Sequence, residues 1–243
     1  GRRTKVVAGG IKEFREEDLI PDEEVVITIT QDGYIKRMPP AAFRAQKRGG
    51  RGTIGFELKE EDMVRHFLSG STHDNILFFT DRGRVFQTKV YDIPVATRTA
   101  KGKLIHNFLE IPPTDKVTAV VSYSSAEAEN KKKPEYLVMA TAKGLVKRAP
   151  LADFGNVRRT GIIALKLRTD DRLQWAKHSS GNDQIIIVTR AGQAIRFKEK
   201  DLRPMGRAAT GVTAIRLRKG DAVAGLDIIN EAEIGPSKLR ILS

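Results

Sequence analysis

Apolar residues in this chain come in short runs, and a Thr-x-x-Gly tetrad interrupts them four times. The runs at residues 25–29, 76–79, 136–139 and 185–188 lead into Thr30-Gln31-Asp32-Gly33, Thr80-Asp81-Arg82-Gly83, Thr141-Ala142-Lys143-Gly144 and Thr189-Arg190-Ala191-Gly192. A second run follows each tetrad, as in Tyr34-Ile35-Lys36-Arg37 and Leu145-Val146-Lys147-Arg148. Two runs rich in β-branched or aromatic residues, joined by a Gly-bearing tight turn, predict a β-hairpin. Glycine suits the turn because it tolerates positive φ.

Two further elements recur. The third begins at Gly52, Gly102, Gly161 and Gly211, and the alternation Val212-Thr213-Ala214-Ile215-Arg216-Leu217 predicts a strand with one face on a core. The fourth opens at Asp62-Met63-Val64, Asp115-Lys116-Val117, Asp171-Arg172-Leu173 and Asp221-Ala222-Val223 and leads into another apolar strand. Aspartates that recur where a repeat must turn read as turn and capping residues rather than catalysts.

The turn glycines lie 50, 61 and 48 residues apart. Four short strands per repeat at this period predict an all-β, propeller-like array of four-stranded blades. Its repeats span residues 25–74, 75–134, 135–183 and 184–230, with a partial fifth at 231–243. The long second spacing has a visible source. Residues 124–134 are polar, carry Glu127, Glu129 and Lys131-Lys132-Lys133, and read as a solvated insertion. Lys238-Leu239-Arg240-Ile241-Leu242-Ser243 looks like the first strand of another repeat, which predicts either a fragment or an open array. Residues 1–24 are charge-rich and read as a linker or lead-in, with a strand possible at 4–8; Arg2-Arg3 suggests a cut from a larger chain. Trp175 falls in a fourth-strand position and is expected in core or inter-blade packing.

Composition narrows the chemistry. Among 243 residues, 43 Lys and Arg outnumber 30 Asp and Glu, for a formal charge of +13, while 40% hydrophobic content marks a globular chain. A balance this basic points to a polyanionic partner. There is no cysteine, and His66, His73, His106 and His178 stand far apart, so neither disulfides nor a zinc site are expected. No apolar run approaches the roughly 18 residues of a membrane span, and no signal peptide opens the sequence; a soluble, intracellular, non-membrane protein is expected. P-loop, HExxH and GxSxG motifs are missing, and none of the four tyrosines is flanked like a nucleophile.

The connection between the second and third strands carries cations in every repeat. In the first it holds Gln46-Lys47-Arg48-Gly49-Gly50-Arg51-Gly52. In the second it holds Arg98, Lys101 and Lys103, in the third Arg158 and Arg159, and in the fourth Arg203 and Arg207. Equivalent loops of a propeller-like array share one rim, so these cations predict a curved basic track for the phosphates of double-stranded DNA. Lys36, Arg37, Lys147, Arg148 and Arg196, on the second strands, are added to it as candidate DNA-binding residues. Glycines beside the arginines leave room for a phosphate and offer N–H groups, and the guanidinium fork pairs with phosphate oxygens. The plain alternative for the heptapeptide is a flexible glycine turn with solvated cations. Nothing resembles a base-reading helix, so low sequence specificity is expected.

The heptapeptide at residues 46–52 resembles the box motif Gln-Arg-Arg-Gly-Gly-Lys-Gly of the C-terminal domain of the DNA gyrase A subunit, with lysine and arginine exchanged at Lys47 and Arg51. Residues 34–37 and the stretch Asp201 to Val212 resemble that family too, and the likeness covers about residues 18–230. It implies a β-pinwheel, usually of six blades, with strands exchanged between neighbouring blades, and DNA wrapped around the rim so that ATP-driven strand passage introduces negative supercoils. It further implies the rest of the gyrase A subunit, together with the gyrase B subunit, as partners in an A2B2 holoenzyme. ATP and Mg would then lie on other domains, with no cofactor and no nucleophilic tyrosine in this chain, and the location would be bacterial, nucleoid-associated and cytoplasmic. Four visible repeats instead of six depart from the family. The alternatives are the topoisomerase IV counterpart, disfavoured by the intact box, and a propeller-like protein-interaction scaffold.

Overall fold

A computed structural model describes residues 16–43, 63–130 and 133–230. The first repeat contains β1 (Glu24–Thr30), β2 (Tyr34–Met38) and β3 (Val64–Ser71). The second contains β4 (Asn75–Thr80), β5 (Arg84–Lys89), β6 (Lys103–Leu104) and β7 (Val117–Tyr123). The third contains β8 (Tyr136–Thr141), β9 (Leu145–Pro150), β10 (Ile162–Ile163) and β11 (Leu173–Ser179), and the fourth β12 (Gln184–Thr189), β13 (Ala194–Lys198), β14 (Val212–Thr213) and β15 (Val223–Ile229). Insertion residues 125–129 form a short helix. Ser124 and Glu127 close a capping box at its start, satisfying N–H groups that would otherwise lack partners.

Each hairpin closes as the tetrad predicts. Gly33, Gly83, Gly144 and Gly192 sit at φ between 76° and 85°. The threonine hydroxyl locks the turn from inside: Thr30, Thr141 and Thr189 Oγ1 accept from the N–H four residues on at 3.1–3.2 Å. The recurring aspartates cap the same turns. Asp115 accepts from Thr80 Oγ1 at 3.1 Å, Asp171 from Lys143 N at 3.0 Å and Asp221 from Ala191 N at 3.0 Å.

The sheets do not coincide with the repeats. Their strand orders are β3-β1-β2-β6, β7-β4-β5-β10 and β11-β8-β9-β14, so the third element of the second, third and fourth repeats completes the sheet of the repeat before it. The fourth sheet, β15-β12-β13, has three strands among the described residues. The exchanged strand is two residues long rather than the six that the alternation 212–217 predicts. The chain turns off because Ala214 N donates to Gly144 O at 2.9 Å, placing Ile215 against the preceding hairpin turn. Exchange also explains the third-element glycines: a Cβ on Gly102 would lie 2.5 Å from Ile35 O, and one on Gly211 2.5 Å from Val146 O.

Among the described residues, three apolar cores fill the spaces between sheets rather than within them. Along β4, Ile76 and Phe78 face the first sheet while Leu77 and Phe79 face the third. Burial on both faces is why these strands read as unbroken apolar runs instead of alternating ones. Trp175 packs in the core shared by the third and fourth sheets, as its position predicted. The innermost strands β3, β7, β11 and β15 all contribute to one cavity of about 510 Å³.

Candidate nucleic-acid interface

Among the described residues, the loops that carry the cations are built by two blades each. In the second repeat the loop leaves β5 and runs beside β2 of the first, where Arg37 N donates to Pro94 O at 3.0 Å and Ala96 N to Arg37 O at 3.1 Å. In the fourth repeat the equivalent loop lies beside β9, and Met205 N donates to Arg148 O at 2.8 Å. Strand exchange therefore carries each described basic loop onto its neighbour's outer edge.

The predicted contacts fall into three groups. Lys101, Lys103, Arg158, Arg159, Arg196, Arg203 and Arg207 are exposed, and Arg98 is half-buried. Lys101 lies over the Tyr34 ring at 3.9 Å, where the ring face draws the cation without neutralising it. Gln46, Lys47, Arg48, Gly49, Gly50, Arg51 and Gly52 lie outside the described residues, as do Asp62, the strand expected at 4–8 and the partial repeat at 231–243.

The third group is placed differently. Lys36, Arg37, Lys147 and Arg148 turn inward. Lys36 Nζ donates to the carbonyls of Thr97, Arg98 and Ala100 at 3.2, 2.6 and 2.6 Å. Arg37 donates to Ile93 O at 2.7 Å and Tyr91 O at 3.2 Å. Lys147, fully buried, reaches Ala164, Gly206 and Arg207 carbonyls at 2.5, 3.0 and 2.6 Å. Arg148 stands 3.6 Å from the buried Glu199 and over the Tyr136 ring. Their ammonium and guanidinium N–H groups already face protein acceptors, which leaves few donors for a phosphate. Burial holds Lys36 below its ordinary value. It pushes Lys147 down to about 8, with Asp153 opposing and Arg207 reinforcing the shift.

Arg84 was missed. It follows the turn glycine Gly83, donates to Thr160 O at 2.6 Å, and lines with Arg207, Ile162 and Ile163 an open groove of about 840 Å³. In register, Arg84 stands where Tyr34 and Leu145 stand in neighbouring repeats. Among the described residues no three acidic or histidine side chains cluster as a metal site would require, and no helix is long and apolar enough to cross a membrane.

Comparison with known proteins gives the fold its relatives. The family described as "DNA gyrase C-terminal domain, beta-propeller" matches residues 24–70, 74–124, 135–179 and 183–230, one segment per repeat. The DNA gyrase A subunit of Staphylococcus aureus (strain NCTC 8325 / PS 47) is 43% identical over 227 residues, covering 93% of this chain and 25% of that protein. The chain thus spans about a quarter of the length of the curated relatives it matches. Among solved structures, the C-terminal domain of DNA topoisomerase IV superposes with a TM-score of 0.70 at 24% identity, over 87% of this chain and 63% of that one. The DNA gyrase A C-terminal domain does so with a TM-score of 0.64 at 23% identity, over 84% and 64%. At these identities the two structures speak to the fold alone.

Proposed function

This chain belongs to the DNA gyrase C-terminal domain family, and from that premise we propose that it binds duplex DNA and bends it around its basic rim for a gyrase holoenzyme. The observation that carries this reading is the recurrence of exposed cations on the same inter-strand loop of successive repeats. A single basic loop is common surface chemistry; a series of equivalent ones, held by exchanged strands, makes a track. Bending a 20–30 bp site by 40–90° costs roughly 1–6 kcal/mol, so many weak phosphate contacts are needed to offset it. If Arg98, Lys101, Lys103, Arg158, Arg159, Arg196, Arg203 and Arg207 each met one phosphate, log K would fall with log salt at a slope of about −7. Contacts of this kind position DNA without reading its bases, so sequence specificity is low.

In this reading the partners are the remainder of a gyrase A subunit, joined by the gyrase B subunit in an A2B2 assembly of the bacterial cytoplasm, on nucleoid DNA. Strand cleavage, ATP and Mg belong to other domains, and this chain supplies the wrap that gives strand passage its direction. Residues 46–52 would complete the wrap. The second reading is a topoisomerase IV counterpart, which would use the same basic rim without an intact box at residues 46–52.

Ligation of nicked circular plasmid with the chain bound, followed by removal of protein, tests the wrap. Wrapping shifts the linking number, whereas an unchanged distribution at low salt eliminates it. Within a holoenzyme, replacing Lys47, Arg48 and Arg51 by alanine tests the box. Loss of supercoiling with DNA affinity largely retained marks the box as the gyrase-specific element; surviving supercoiling reduces it to a structural turn.

A further inference from the structure

Lys36 and Lys147 occupy one position of the repeat, three residues after the turn glycine, on strands whose pairing registers correspond. Both are buried, and both send the ammonium into a cup of carbonyl oxygens. For Lys36 the cup is the backbone of Thr97, Arg98 and Ala100. For Lys147 it is Gly206 and Arg207, with Ala209 at 3.4 Å, closed from its own repeat by Ala164. The loop carbonyls in each case belong to the next repeat, to the very segment that bears the exposed cations.

We propose that Lys36 and Lys147 are positioning residues: each ammonium, supplied by one blade, pins the backbone of the next blade's basic loop and so sets where that loop presents its cations to DNA. The inference rests on the rim being the DNA surface. Lysine fits the task better than arginine, because three N–H groups on one compact nitrogen can meet three converging carbonyls, whereas a planar fork cannot. An unpinned loop would be ordered by DNA only at the cost of its own conformational entropy, which weakens binding.

The molecule contains its own control. At the junction of the second and third blades the equivalent residue is Phe86, whose ring lies where a Cβ on Gly161 would be 2.6 Å away. That loop is held instead by Arg84 on Thr160 O at 2.6 Å and by Gln87 Oε1, which accepts from Val157 N at 3.0 Å. Loosening caused by a lysine substitution should therefore stay at the first and third junctions.

The test uses the 243-residue chain, with Lys147→Met, Lys147→Arg and Arg207→Ala compared by amide exchange and by binding to linear duplex across a salt series. Positioning predicts that both lysine variants speed exchange around residues 205–211 by at least about tenfold, leave residues 157–161 unchanged, and keep the wild-type salt slope. Arg207→Ala should lower the magnitude of that slope by about 0.9 with exchange unaltered. A Lys147→Met variant that shortens the slope as Arg207→Ala does, or a Lys147→Arg variant that behaves as wild type, would identify a phosphate contact and overturn the proposal. Should the variants not fold, amine-reactive labelling of the wild-type chain decides. Lys36 and Lys147 must resist modification with and without duplex DNA, while Lys101 and Lys103 react freely and become protected by it; ready modification of Lys147 in free protein refutes the pin. If no DNA binds under any condition, the rim reading fails, while exchange and labelling still report on the pin.

Discussion

Arg172, just before β11, reaches back across the blade boundary to Asp81 in the hairpin turn of the second repeat, Nη1 to Oδ2 at 2.5 Å. The aspartate side chain is only 4% exposed, and its other oxygen accepts from Lys116 N at 2.9 Å. Ala142 stands in the place of Asp81 at the next junction. The pair thus belongs to the one described junction that lacks a buried lysine, and the two devices divide the work of locking blades together.

Removing Arg172 leaves a buried carboxylate with one donor fewer. Arg172→Ala is expected to cost about 1–3 kcal/mol in urea denaturation. Asp81→Ala with Arg172→Ala should cost less than the two single changes added together, because the second change removes the stranded charge. Strict additivity would show that the two groups do not interact.

Two turn glycines with nearly the same backbone separate local strain from blade packing. Gly144 has φ of 84° and Gly192 has φ of 80°. An added Cβ at Gly144 would lie 2.7 Å from Ile215 O in the exchanged segment, whereas at Gly192 nothing lies within 4 Å. Gly192→Ala should cost the backbone penalty alone, about 1 kcal/mol. Gly144→Ala should cost roughly 1–3 kcal/mol more, since the neighbouring blade must shift. Equal unfolding midpoints would mean that the exchanged segment yields freely.

His66 gives the fold a sensitivity to acid. It lies partly buried on β3 beside the central cavity, with Nε2 lacking a hydrogen-bond partner among the described residues. Burial, aided by the nearby Arg65, pushes its pKa down to about 4 from 6.5. The unfolded chain therefore binds this proton at higher pH than the folded one. The associated stability is complete above pH 6.5 and is lost as pH falls towards 4, on the order of 2 kcal/mol after screening. Thermal melts at stepped pH should show the loss, and His66→Gln should flatten that part of the profile. An unchanged profile in the variant would assign the acid sensitivity elsewhere.

The repeat, its hairpins and its capping aspartates were legible because each rests on contacts within one repeat: a glycine at positive φ, a threonine hydroxyl four residues back, an aspartate near the next strand. Strand exchange was not legible from spacing, since Lys103-Leu104 would satisfy the same pattern in its own sheet; only the family resemblance implied it. The inward turn of Lys36 and Lys147 was hidden for a related reason. A lysine on an outer strand ordinarily reads as solvated, and here the carbonyls that bury it arrive about sixty residues later in sequence. Arg37 and Arg148 are covered in the same way, while Arg196 is not, because no further blade covers it among the described residues.

Arg148 and Arg196 therefore offer a direct comparison, being the same position of the repeat with and without a covering neighbour. Arg148 is 6% exposed and faces Glu199, which is wholly buried and also accepts from Ser179 Oγ at 2.7 Å. Truncating Arg148 leaves that carboxylate without its cation, and Arg148→Ala should destabilise by about 3–5 kcal/mol. Its DNA salt slope should remain that of wild type wherever the variant is folded. Arg196 is exposed on β13, so Arg196→Ala should lie within about 0.5 kcal/mol of wild type in stability. It should instead lower the magnitude of the salt slope by about 0.9, as one lost phosphate contact requires. Urea denaturation and fluorescence anisotropy across a salt series measure both quantities on the same samples. The reverse pattern, a stable Arg148→Ala with a reduced slope, would return Arg148 to the rim and remove the physical basis for dividing these cations into inward and outward sets.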